Sequence, residues 1–167
     1  MSDNSRRIYG LTQSTVNAVV AKGTTSTYST TNSTAGVVNG KWVTPITAQT
    51  NTATPVLDAS TGVAFVAMAI NKATVLVIGQ TFAGAIQMSQ GSVEDTFAGS
   101  GSTAGAFNKS PQFPFLPDDF LPLAYLLVRT APSASAWTAG TSSWTATGIT
   151  ASAVQNVACL PDRPQAS

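Results

Sequence analysis

The chain contains no histidine and a single cysteine, and charged side chains make up only 9% of its 167 residues. Without histidine it lacks both the commonest general base and the commonest metal ligand. A serine nucleophile would then need a lysine partner or a free N-terminal threonine. The four lysines, Lys22, Lys41, Lys72 and Lys109, lie in polar or turn contexts, and none completes a Ser-x-x-Lys spacing. The lone Cys159 cannot close an internal disulfide, so nothing requires an oxidising compartment. Its neighbours Val157 and Leu160 predict a small buried hydrophobe rather than a reactive thiol. On these grounds the chain is read as a non-enzyme with no cofactor and no metal.

Other absences narrow the class further. Ordinary soluble domains are about 25% charged, whereas this chain is far more neutral, with a net charge of +1. Its one basic pair is Arg6-Arg7, too little for the basic patch of a nucleic-acid binder. No apolar run approaches membrane-spanning length. The start "MSDNSRRIYG" has no apolar stretch after its charges, so no signal peptide is expected. The glycosylation sequons at Asn32 and Asn108 are then chance matches in a Ser/Thr-rich chain. There is no long amphipathic helix pattern and no repeat of fixed period.

What is present is Ser and Thr, about a quarter of the chain, within a composition that is 43% hydrophobic. Charge keeps monomers soluble and apart, so a chain this neutral suits an assembly. The plainer alternative is a secreted Ser/Thr-rich β-protein. Many short strand patterns, with turn signals about every ten residues, predict an all-β fold, a β-sandwich of jelly-roll-like form. We divide the chain into an N-terminal arm, 1–22, and one β-domain, 23–167. Within the first segment, Val16, Ala18 and Val20 alternate as in a strand. Residues 24–36 are either an exposed strand or a loop. Asn39-Gly40 signals a hairpin over 37–44, and the proline-bounded 45–55 predicts an edge or loop.

Three segments, 63–70, 74–81 and 123–130, read as strands that are apolar on both faces. The first two are read as a hairpin turning at Asn71-Lys72, the second running on through 82–93 with a break at Gly84. In 123–130, Leu123, Tyr125, Leu127 and Arg129 form one row and Ala124, Leu126, Val128 and Thr130 the other. A sandwich strand normally has one wet face. Either the chain wraps its own loops over the second face or another subunit covers it. The low charge favours the subunit and predicts a closed homo-oligomer. Phe65, Met68, Ile70, Tyr125 and Leu127 are the candidate interface or core residues. Residues 132–152 predict a Ser/Thr/Trp hairpin with turns at Gly140 and Gly148, and 153–160 a last strand.

The remaining motifs read as structural. "GSGSTAG", 99–105, has GxGxxxG spacing and no following helix, so it is a flexible loop rather than a phosphate cradle. The acidic pairs Glu94-Asp95 and Asp118-Asp119 could serve glycoside hydrolysis. Adjacent strand residues point apart, however, and Asp118 in "PDDF" is expected to cap local backbone amides. A calcium site is the lesser alternative there. Trp42, Trp137 and Trp144 could form a sugar platform, with core or interface packing the favoured role.

Three stretches, "PQFPFLPDDFLPLAYLLVRT" (111–130), "WTAGTSSWTATGITASAV" (137–154) and "LPDRPQ" (160–165), resemble a family of tailed-bacteriophage virion proteins. The hairpin read over 63–81, ending in "VIGQ", fits the same pattern, so the likeness covers about the last two-thirds of the chain. Proteins of this kind are structural and decorate, or cement, the capsid surface. The resemblance implies a jelly-roll-like fold, a homotrimer, and the phage major capsid protein as partner. It further implies residence on the outer capsid surface of the virion after synthesis in the host cytoplasm, and it implies no catalytic residue. In this reading Arg6 and Arg7 pair with acidic capsid groups, while Ile8 and Tyr9 anchor beside them. The rival role is a tail-fibre, head-fibre or spike module that binds a host receptor or glycan through Trp137 and Trp144 on exposed loops.

Overall fold

The computed structural model describes residues 12–16 and 18–165, so the arm residues Arg6, Arg7, Ile8 and Tyr9 lie outside the described part. The fold is all-β. Its strands, in chain order, are β1 (Gln13–Ser14), β2 (Val20–Lys22), β3 (Thr27–Thr30), β4 (Gly36–Val38), β5 (Lys41–Trp42), β6 (Thr52–Ala53), β7 (Lys72–Thr81), β8 (Ile86–Gln90), β9 (Glu94–Asp95), β10 (Phe120–Thr130), β11 (Ile149–Ala151) and β12 (Gln155–Asn156). The long strands β7 and β10 pair antiparallel at the centre of a sheet ordered β11-β10-β7-β8, with β12 on β10 and β9 on β7. Two small sheets, β1-β4-β5 and β2-β3-β6, complete the set. Within the segment 1–22, β1 pairs with β4 and β2 with β3.

Both faces of the central pair are dry, as the sequence requires, and the chain itself covers both. On one face Leu76, Ile78, Leu126 and Val128 pack with Val20 and Val38 from the small sheets, with Val43 just beyond β5, and with Met68, Trp137 and Trp144. On the other face Val75, Val77, Phe120, Tyr125 and Leu127 lie beneath Phe107, Phe113, Leu116, Val157 and Leu160. Phe113 meets Tyr125 edge-on, with ring centroids 5.0 Å apart, and the tail returns so that Gln165 N donates to the Tyr125 hydroxyl. The loop 107–116 and the C-terminal segment thus make a third layer. This layer replaces the subunit invoked to cover these strands.

Several boundaries differ from the reading of the sequence. The hairpin is formed by β7 and β8, joined through the Gly84 turn, and not by 63–70 with 74–81. β10 begins three residues before 123, and its register with β7 shifts between Pro122 and Ala124. That bulge places Leu121 and Leu123 with Ala124 on the first face, so the expected alternation holds only from Ala124 onward. Pro122, which has no N–H to give a ladder, sits at the irregularity. The Asn39-Gly40 hairpin is present, with φ of 50° and 76° at its turn. Residues 132–152 form no hairpin of their own. After turns at Gly140 and Gly148, β11 pairs with β10. The last strand shrinks to β12.

Candidate interaction surface

The segment "GVAFVAMAI", 62–70, is not a strand. Its backbone partners come from three different places, so no continuous ladder can form. Leu57 faces Ala64 in one isolated bridge and Trp137 faces Met68 in another. Between them the Gln90 side chain acts as a substitute peptide. Its Oε1 accepts from Val66 N at 2.8 Å and its Nε2 donates to Val66 O at 3.1 Å. Every third residue points inward, against every second in a strand. Phe65 and Met68 are buried, whereas 63, 64, 66, 67, 69 and 70 are all exposed and all apolar.

This ribbon is fastened along the outer edge of β8 by Asp58. Its carboxylate is buried and accepts from Gln90 N at 2.9 Å, from Ser60 N at 2.7 Å and from the Ser60 hydroxyl. Ala59 N donates to Met88 O, and Asp58 N to Val63 O. The edge of β8, otherwise a template for strand addition, is thereby occupied. The covering ribbon turns outward Leu57 (52% exposed), Val63 (61%), Val66 (63%) and Ile70 (48%). Phe115, 87% exposed, lies at the Asp58 end, where its carbonyl accepts from Ser89 Oγ. Across 56–70 the only charged side chain is the buried Asp58.

Of the residues expected at an interface or in the core, Phe65, Met68, Tyr125 and Leu127 are buried within this chain, and Ile70 alone is on the surface. Trp137 and Trp144 pack against each other at 5.4 Å inside the first core cluster, which withdraws them from the sugar-platform role. Their indole N–H groups donate to Ser143 O and Thr27 O. Trp42, in contrast, is exposed. Cys159 is exposed rather than buried. It sits between Val157 and Leu160, which turn onto the second face.

The acidic pairs are separated by their surroundings. Asp95 forms a 2.6 Å ion pair with Lys72, and Glu94 stands 3.5 Å from Lys109. A hydrogen bond from Ser92, and then the Lys109 charge, hold the Glu94 carboxyl below its ordinary range; the bond and charge of Lys72 do the same for Asp95. At Asp118-Asp119 the turn is held by backbone carbonyls and not by the expected carboxylate cap. Phe120 N donates to Pro117 O, Phe82 N to Asp119 O and Asn39 Nδ2 to Asp118 O. Beside it opens a groove of about 610 Å³ that includes Thr12, Asn39, Asp118, Phe120 and Cys159. In 99–105, Ser100 and Thr103 close a tight turn, and Arg129 Nη1 donates to Gly105 O. Among the described residues no three of His, Cys, Asp and Glu gather as a metal centre would need. Lys22, read from sequence as lying in a polar context, donates to Ala151 O and Ser152 O across the sheet edge, and burial lowers its pKa.

The sequence did contain the signal for the ribbon. Its outward row has no polar residue, but a two-residue period assigned that row to a sheet face. Asp58, hidden in "PVLDAS", carried no signal of its own. Comparison with known proteins finds no matching family model, no matching curated protein and no matching solved structure.

Proposed function

We propose that this chain is a structural virion protein of the capsid-decoration type. It binds the outer surface of a tailed-bacteriophage head as a homo-oligomer, with three copies the expected number, and holds neighbouring capsid subunits together. The jelly-roll-like form of the sandwich belongs to the same proposal. The observation that carries it is the chargeless, outward-facing ribbon on a chain with only 9% charged residues. Such a surface suits a protein that works in an assembly, since a contiguous apolar patch left in water favours aggregation. Support also comes from where the resembling stretches lie: 111–130 and 160–165 meet on one side of the central sheet, where Leu116 and Leu160 cover Phe120, Tyr125 and Leu127.

The mechanism is mass action. A ligand that binds only the assembled shell stabilises that shell, and an oligomer touching several capsid subunits gains avidity. Arg6, Arg7, Ile8 and Tyr9 remain the proposed capsid contacts. The test is to add purified protein to heads that lack it, then image them by cryo-electron microscopy and heat them. Ordered density at fixed lattice positions and later DNA release are expected. Undecorated heads, or loss of host attachment with unchanged head stability, would overturn the reading.

A further inference from the structure

We propose that the outward face of the ribbon, Leu57 with Val63 to Ile70, is a self-association surface. It meets the same ribbon of a second copy around a rotation axis. The reasoning begins with area. Leu57, Val63, Val66 and Ile70, each about half or more exposed, join three exposed alanines, Ala64, Ala67 and Ala69. Together they present on the order of 500 Å² of apolar surface, so two copies face to face would bury about 1,000 Å², the lower bound for a specific interface. A patch of this size is at the upper end of what monomers carry, about 300–600 Å², and such patches are often functional.

The choice of occupant follows from charge and shape. A foreign partner is usually selected by polar or charged groups that fix register and orientation, and the outward row has none. A copy of the same face needs no complement, because apolar meets apolar and no like charges are opposed. The net charge of +1 adds little repulsion between copies. The backbone is also prepared. Gln90 satisfies the Val66 N–H and C=O from inside, and Asp58 holds the turn at 58–63. The face is therefore presented as a fixed surface, and the contact is made by side chains rather than by strand addition. Around a rotation axis the centre of the ribbon, Ala67, lies near its own counterpart.

This inference deepens the assembly reading but fails separately from it. A monomer that still decorates heads overturns the surface and the homo-oligomer but leaves capsid binding standing; an oligomer that ignores heads does the reverse. The full chain is sized by light scattering and analytical ultracentrifugation. A particle of two or three times 17.1 kDa is expected. The pair Val63→Lys with Val66→Lys is expected to reduce it to one chain with an unchanged circular dichroism melt. Trp42→Lys, on a different exposed site, leaves the particle intact. Should the double variant fail to fold, Ala67→Cys in a Cys159→Ser background decides. A short bismaleimide is expected to yield a covalent dimer there and none from Trp42→Cys. A wild-type monomer at every concentration, a folded double variant of undiminished mass, or no Ala67→Cys cross-link would overturn the proposal.

Discussion

Asp58 shows how one side chain can decide the behaviour of a whole segment. Sequence patterning assigns no role to an aspartate between Leu57 and Ala59, because a single acid in an apolar stretch has no period. In the fold its buried carboxylate accepts hydrogen bonds from two backbone N–H groups and the Ser60 hydroxyl, with the Ser89 hydroxyl 3.5 Å away. Hydrogen bonds to a charged group contribute about 1.5–3 kcal/mol, and a buried donor left without its partner carries the full desolvation penalty. Asp58→Ala is therefore expected to destabilise the chain by about 3 kcal/mol, measured as a lower urea midpoint at unchanged slope. Asp58→Asn keeps one acceptor oxygen and should lose less. Hydrogen exchange at Val66 and Gln90 should rise first, since the ribbon opens before the sheet. A loss within about 0.5 kcal/mol for Asp58→Ala, the range of ordinary surface changes, would mean that the carboxylate does not hold the ribbon.

Among the elements, the pairing of β7 with β10 organises the rest, and its tightest point is Gly79. A Cβ there would run into the Leu121 carbonyl and the Phe120 ring. The strands approach closely where Pro122 interrupts the ladder, and the Phe120 ring lies where a side chain on Gly79 would stand. Gly62 provides the contrast, having open space around it and a φ of +71°. Gly79→Ala is expected to cost about 3 kcal/mol or more by overpacking, and Gly62→Ala about 1–2 kcal/mol from the left-handed backbone alone. If urea denaturation ranks them the other way, the close approach is not what requires glycine at 79.

Strands at this scale were legible where β-branched and large apolar residues run unbroken, as in 74–81 and 123–130, and where Asn39-Gly40 sets a turn. They were illegible where partners lie far away in sequence. The ribbon 62–70 matches a strand in composition, but its bonds go to Gln90 and Trp137. The bulge at Pro122 moves Leu123 to the other face, and no period reveals that. The exposed surface could be anticipated from the uniformly apolar row, but its position could not, because that position depends on which edge Asp58 clamps.

For the whole molecule, the third layer changes the meaning of a double-sided apolar strand. A chain of this size can cover a second sheet face with a loop when that loop carries Phe107, Phe113 and Leu116 at suitable spacing. The case for association then rests on the ribbon and not on the sheet. Electrostatics at this scale is also simple. With no histidine, no side chain with an ordinary pKa between 5 and 8 is present to titrate, so thermal stability is expected to stay flat from about pH 6 to 8. Glu94 and Asp95 titrate below their ordinary values of 4.5 and 3.8. A carboxyl held lower in the folded state contributes stability above its unfolded pKa and loses it as pH falls through the folded one. The melting temperature should therefore begin to fall below about pH 4.5 and continue downward past 3.8. Both groups are open to solvent, so the effect is small and screened by salt. Lys72→Met should flatten the lower part of the fall and Lys109→Met the upper part, each more visibly at low ionic strength. An acid transition unmoved by either substitution would show that these two ion pairs do not couple to folding.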